Sequence, residues 1–269
     1  MSCTIIRVAL CAAMLAASAT SAQPRASVFI DDLTWTELRD AVAGGRTTVI
    51  VPIGGTEQNG PLMALGKHNV RVRVLSEKIA RVLGNALVAP VIAYVPEGSV
   101  DPPTQHMRFP GTITIPDTVF EKTLEYAARS LRRAGFVDVV FLGDHGGYQK
   151  NALAAASRLN HEWRTQQPHV HAIEAYYRAA ETPYAQQLKQ RGFSDEEIGS
   201  HAGLADTALT LALAPDLVRS DRLGAGDKPT AAQGVYGDPR RATAELGQVG
   251  VDIILAQTVD AIRKATRRQ

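Results

Sequence analysis

The chain predicts an α/β protein: a single domain with a mostly parallel β-sheet flanked by helices on both faces. Three observations carry that expectation. Short β-branched apolar runs alternate with longer amphipathic stretches, as in Thr48 to Pro52 followed by Val70 to Leu83, or Val137 to Leu142 followed by Asn151 to Gln166. Such strand–helix alternation builds parallel sheets covered on both faces. Two of the apolar runs break directly into polar, glycine-containing loops, where open α/β sheets bind their ligands. The third is size: a 269-residue chain that is 45% hydrophobic can bury one sizeable core.

In chain order, residues 1–22 read as a secretory leader. Arg7 is its only charge, Val8 to Ala17 is apolar, and small residues at Thr20 and Ala22 fit a peptidase site before Gln23-Pro24. The protein is therefore expected to be exported, periplasmic or secreted, with no membrane contact after cleavage. Both cysteines, Cys3 and Cys11, fall inside the leader, so residues 23–269 hold no disulfide, cysteine nucleophile or cysteine metal site. Thr36 to Ala43 predicts a helix, Thr48 to Pro52 a strand and Val70 to Leu83 a helix with Val70, Val74, Ile79 and Val82 as its apolar positions. Ala86 to Tyr94 predicts a strand interrupted by Pro90, and Thr118 to Ala134 a long helix closed by Gly135. The strand Val137 to Leu142, the helix Asn151 to Gln166, a strand over His169 to Tyr177 and helices over Ser200 to Ala214 and Val249 to Arg267 complete the pattern. The Pro/Gly-rich stretch Pro215 to Arg240 reads as a surface excursion. The net charge is +2 and the basic residues are scattered without interleaved aromatics, which excludes a nucleic-acid stripe.

The chemistry concentrates in two loops. After the first strand, Gly54-Gly55 leads to Glu57, Gln58, Asn59, Lys67 and His68; after the later one comes Gly143-Asp144-His145-Gly146-Gly147. Two strands that each deliver a carboxylate and a histidine are a minimal kit for a metal-assisted hydrolase. Asp144 and His145 are adjacent on one strand end and point to opposite sides, so Asp144 is expected to orient His145, with a ligand role as the alternative.

At these positions the sequence resembles the creatininase (creatinine amidohydrolase) family over essentially the whole mature chain. The family's Glu-Gln-His-Gly-Pro-His-Leu-Pro-Leu-Gly-Thr-Asp loop reads here Glu57-Gln58-Asn59-Gly60-Pro61-Leu62-Met63-Ala64-Leu65-Gly66-Lys67-His68. Its Asn-Gly-His-Gly-Gly-Asn loop reads Gly143-Asp144-His145-Gly146-Gly147-Tyr148, and its Phe-Pro-Gly-Thr-Ile-Thr segment is intact at Phe109 to Thr114, just after His106. The His-Ala-Gly-Glu-x-Glu-Thr helix start reads His201-Ala202-Gly203-Leu204-Ala205-Asp206-Thr207, and Gly-Val-x-Gly-Asp-Pro is intact at Gly234 to Pro239.

The resemblance implies a metal-dependent hydrolase of a small cyclic amide or related C–N or lactone bond, with metal-bound water as nucleophile, and a homo-oligomer, a hexamer by family resemblance. Glu57 and His145 match family ligands. His68 stands where the family has a metal-bridging aspartate, Asn59 where it has a histidine of the second metal, and Gly147 or Leu204 where that metal's carboxylate is expected. The resemblance thus leaves Glu57, His68 and His145 as a two-histidine, one-carboxylate metal set, the set that catalytic zinc uses with a position left for water. It implies one divalent metal per chain in place of two: zinc first, with manganese, iron or nickel also suited to such ligands. His201 matches the family's proton-transfer position and joins Glu57 as a catalytic candidate. Gln58, Asn59 and His106 are expected to contact substrate, with Gly146 and Gly147 offering N–H groups to an oxyanion. Asp144 and Asp206 are expected to orient histidines. The lost second-site ligands, and Ser200 before His201, also fit a non-catalytic small-molecule-binding protein, or a one-metal isomerase or lyase.

Overall fold

In-register pairing of two parallel strands sets the frame for everything else. The computed structural model describes residues 27–164 and 168–267; the expected leader, residues 1–22, lies outside the described residues. Strand β1 is Thr48–Ile53, β2 Ala86–Val88, β3 Asp138–Gly143 and β4 His169–Ala172, all parallel in the order β2-β1-β3-β4. Alternation along the strands divides the core in two. Ile50, Val140 and Leu142 face helices α2 (Lys67–Leu83), α8 (Leu204–Leu213) and α9 (Ala244–Ala265). Val49, Val51, Ile53, Val139 and Phe141 face α3 (Asp117–Arg133) and α4 (Gln149–Trp163), with α1 (Trp35–Ala43) beside them. The expected doubly covered parallel sheet is present. No helix among the described residues is long and apolar enough to cross a membrane.

Several boundaries differ from the sequence reading. β2 stops at Val88 instead of Tyr94, because Pro90 has no N–H for a ladder. Beyond it only single bridges continue, Ile53 with Ile92 and Val95 with Thr114. β4 ends at Ala172, and the residues read as its second half open a helix: α5 (Ala175–Ala179), a π segment (Ala180–Tyr184) and α6 (Ala185–Gln190). Tyr176, Ala179, Tyr184 and Leu188 are buried along it in the core that includes α9. Their aromatic content looks like strand, but tertiary packing decides. Pro183 lies in the π segment, where the missing N–H breaks the regular ladder. A short helix α7 (Asp195–Ile198) follows, started by a Ser194–Glu197 capping box.

The segment 215–240, read as a surface excursion, is mostly exposed and is also stitched to the site loop. Ala64 N–H donates to Leu217 O, Arg219 N–H donates to Leu62 O, and His201 pairs with Tyr236. His171 on β4 pairs with Asp138 on β3 at 2.9 Å.

Candidate metal centre

β1 and β3 run in register to Ile53 opposite Gly143, so the loops that leave them start side by side. The two glycines after β1 then set the approach of other segments. A Cβ on Gly54 would lie 2.1 Å from Asn69 Oδ1. Without it the start of α2 closes in, and Asn69 accepts from Gly55 N–H at 2.9 Å. Lys67 and His68, read from sequence as loop residues, thus occupy the first turn of α2, beside Glu57. A Cβ on Gly55 would lie 2.8 Å from Glu97 Oε1; its absence admits that carboxylate from the segment after β2.

Glu57 sits at the centre, fully buried, and its two oxygens face different company. Oε2 lies 3.2 Å from His106 Nε2 and 3.4 Å from His145 Nε2, and His145 Nε2 is 3.7 Å from Glu97 Oε2. Glu57, Glu97, His106 and His145 offer ligand atoms all within 4.8 Å of one another. Glu57 Oε2 and both oxygens of Glu97 are buried with no hydrogen-bond partner. An unpartnered carboxylate in a protein interior is costly. Burial, reinforced by the neighbouring Glu57 charge, pushes Glu97 up to about 9. Burial drives His145 down to about 3 and lowers His106 as well, leaving neutral imidazoles suited to ligation. Convergent orphan oxygens and neutral nitrogens are the donor set a divalent cation requires.

On the Oε1 side each charged group has at least one partner, although Arg71 Nε is buried without one. His68 Nε2 donates to Glu57 Oε1 at 2.7 Å and His68 Nδ1 to Asp144 Oδ2 at 2.6 Å. Asp144 also meets Arg71 at 3.1 Å and accepts from Tyr176 Oη at 2.6 Å. Lys67 Nζ lies 3.5 Å from Glu57 Oε1 and 2.9 Å from Asp206, whose other oxygen takes Arg71 at 2.7 Å. Burial opposes ionisation of Glu57, but the charges of His68 and Lys67 hold its carboxyl well below the usual range. Asp206 further accepts from Ala202 N–H at 2.9 Å and so fixes Ala202 at φ +51°, a left-handed conformation unusual for alanine. That bond sets the turn presenting His201. His201 Nε2 donates to Gln58 O at 2.9 Å, which leaves Nδ1 facing Glu57 Oε1 at 3.7 Å. Burial and the Lys67 charge lower His201 to about 4.

The sequence-derived candidates are thus assembled in one place, with different neighbours from those expected. His68 stands outside the four-residue group, because both its ring nitrogens are held by carboxylates. His106, expected against substrate, is inside the group. Glu97 was missed altogether; its signal is that it is the only charged residue between Arg81 and Asp101. Gln58 is buried and donates to Gly234 O at 3.1 Å, with its amide 3.1 Å from His106 Nδ1 and from His201 Nε2. Asn59 Nδ2 donates to Glu57 O and Ala64 O at 2.9 Å each, so both amides brace the loop from behind. Gly147 N–H donates to His145 Nδ1 at 3.2 Å, while Gly146 lines the cavity. Asp144 and Asp206 stand behind the histidines. The cavity, about 230 Å³, is also lined by Lys67, His68, Arg71, His106, His145 and His201.

The family model described as Creatininase: Creatinine amidohydrolase matches residues 31–262. The chain belongs to the creatininase family. The creatinine amidohydrolase of Pseudomonas putida is 27% identical over 88% of this chain and 97% of its own length. A mycofactocin precursor peptide peptidase of Mycolicibacterium smegmatis is 28% identical over 74% of this chain and 78% of its own. Among solved structures, a manganese creatininase superposes with a TM-score of 0.75 at 28% identity, covering 90% of this chain and 100% of that one. A zinc–zinc creatininase variant gives 0.72 at 26%, again over 90% of this chain and 100% of that one.

Proposed function

We propose that this creatininase-family protein is a hydrolase of small cyclic amides or related C–N or lactone bonds, dependent on one divalent metal per chain. The observation that carries the reading is the convergence of three orphan buried carboxylate oxygens with two neutral histidines. Glu57, Glu97, His106 and His145 would hold the ion, zinc or manganese by analogy with the creatininases named above. A divalent ion there supplies Lewis acidity toward a carbonyl and brings the pKa of water to about 7.

The chain's own groups do the rest. Lys67 and His68 keep Glu57 ionised and fix its orientation. His201, neutral at working pH, accepts a proton at Nδ1 and returns it to the leaving nitrogen, its other nitrogen anchored on Gln58 O. The cavity is smaller than the roughly 300–1,000 Å³ typical of drug-sized ligands, which favours a small ring over a peptide such as the peptidase relative's. A leader over residues 1–22 would put the substrate pool outside the cytoplasm, and N-terminal sequencing of the mature protein tests that.

The decisive experiment pairs elemental analysis of the mature protein with an assay of lactams, cyclic ureas and lactones against linear peptides. Metal-dependent ring opening is the expected result. A protein that binds no zinc or manganese, yet retains affinity for small rings, would establish the binding-protein alternative.

A further inference from the structure

The Oε1 side of Glu57 contains a cation to which the reading above gives only the task of holding that carboxylate. Lys67 is completely buried, an unusual place for a lysine. Its ammonium lies between Glu57 and Asp206, on the opposite oxygen of Glu57 from the four-residue group, and it lines the cavity. We propose that the Lys67 ammonium is the second cation of this centre, a covalent replacement for the second metal of a two-metal hydrolase, facing the oxygen of the bound carbonyl. The proposal rests on the metal-site reading given above.

Geometry supports it. Lys67 Nζ stands 3.5 Å from Glu57 Oε1 and 2.9 Å from Asp206 Oδ2, so a positive group already occupies the space between two carboxylates on that side. Arg71 takes the other oxygen of Asp206 at 2.7 Å and also meets Asp144 at 3.1 Å. A second divalent ion there would have to displace a fixed cation from a low-dielectric site. The donor inventory agrees. Near Lys67 Nζ, His68 is fully engaged, and the Asn59 amide is turned into its own loop. Among the described residues Glu57, Glu97, His106 and His145 form the one metal-capable group.

Manganese alone is the probe. Chelator-stripped wild type is reloaded with Mn(II), separated from free ion, and examined by elemental analysis and electron paramagnetic resonance. One equivalent per chain, with the hyperfine pattern of an isolated ion, is expected. Two equivalents with a spin-coupled pattern would overturn the lysine assignment and leave the metal-site reading standing. No bound manganese or zinc would overturn both. Lys67→Met then tests the sign of the interaction. Removing a fixed positive charge beside a ligand should tighten Mn(II) binding about tenfold or more, or admit a second ion. A folded variant that binds one ion more weakly would show Lys67 to be only a brace for Glu57, overturning the proposal. Lys67→Gln carries the same test, and the wild-type count stands independently should neither variant fold.

Discussion

The two oxygens of Glu57 divide the centre into halves built on different principles. On the Oε1 side every charge has partners: His68 bridges two carboxylates, Arg71 pairs with two, and Asp206 gathers Lys67, Arg71 and Ala202. On the Oε2 side Glu97 has none, and two histidines sit within reach of carboxylate oxygens that remain unbonded. In the first half every carboxylate is paired within the protein. The second presents a group of donors that could hold a cation. Satisfied and orphaned groups a few ångströms apart distinguish scaffold from site more sharply than residue type does, since both halves are made of histidine and carboxylate.

The comparison breaks most easily through stability. Arg71→Met removes one partner from the buried Asp144 and one from the half-buried Asp206 and should cost about 3 kcal/mol, measured by denaturant unfolding of metal-free protein; a loss below about 1 kcal/mol would mean the Oε1 half is not a scaffold. Glu97→Gln should weaken metal binding at least about a hundredfold, beyond what loss of a group behind a ligand costs, yet leave the metal-free melting temperature unchanged or higher, because an orphaned carboxyl is gone. A drop in the metal-free melting temperature would place Glu97 in the scaffold instead.

His68→Gln sharpens the boundary between the halves. It should retain the metal with roughly 10- to 100-fold lower affinity, whereas complete loss would make His68 a ligand, as the sequence alone suggested. Glu97 also sets a pH signature. Its folded pKa is raised to about 9, so its stabilising, protonated state is fully present below the usual carboxylate range. That contribution declines as pH rises toward about 9. A metal takes the place of the proton, so the gain in melting temperature on adding zinc should grow across that window. A flat gain would exclude Glu97 from the site. Arg158→Ala, which removes a half-exposed partner of Glu121 and Glu125 between α3 and α4, should change stability by less than about 1 kcal/mol and leave metal content untouched.

The fold was legible in the sequence because its strands are short apolar runs and its helices carry clear amphipathic periods. What failed was local: Tyr176 and Tyr177 looked like strand while packing in helix α5, and Pro90 ended β2 early. In the site, Glu57, His145 and His201 were legible from the loops that carry them, and the opposite pointing of Asp144 and His145 followed from strand geometry. Ligand order was not. Whether His68 or His106 faces the central space depends on which carboxylates claim its nitrogens, a property of tertiary contacts. Glu97 has no motif around it, only isolation in an otherwise uncharged stretch.

Gly55 has a consequence for how such proteins diverge. The space a side chain there would fill is filled by a glutamate from a distant segment, so the loops that define the family do not supply every carboxylate of this centre. A descendant can shed residues from the recognised signature and recruit replacements from a neighbouring connection, provided one backbone position stays bare. Degraded signatures are therefore poor evidence of a dead enzyme, and the informative position to inspect in a diverged relative is the glycine that keeps the door open.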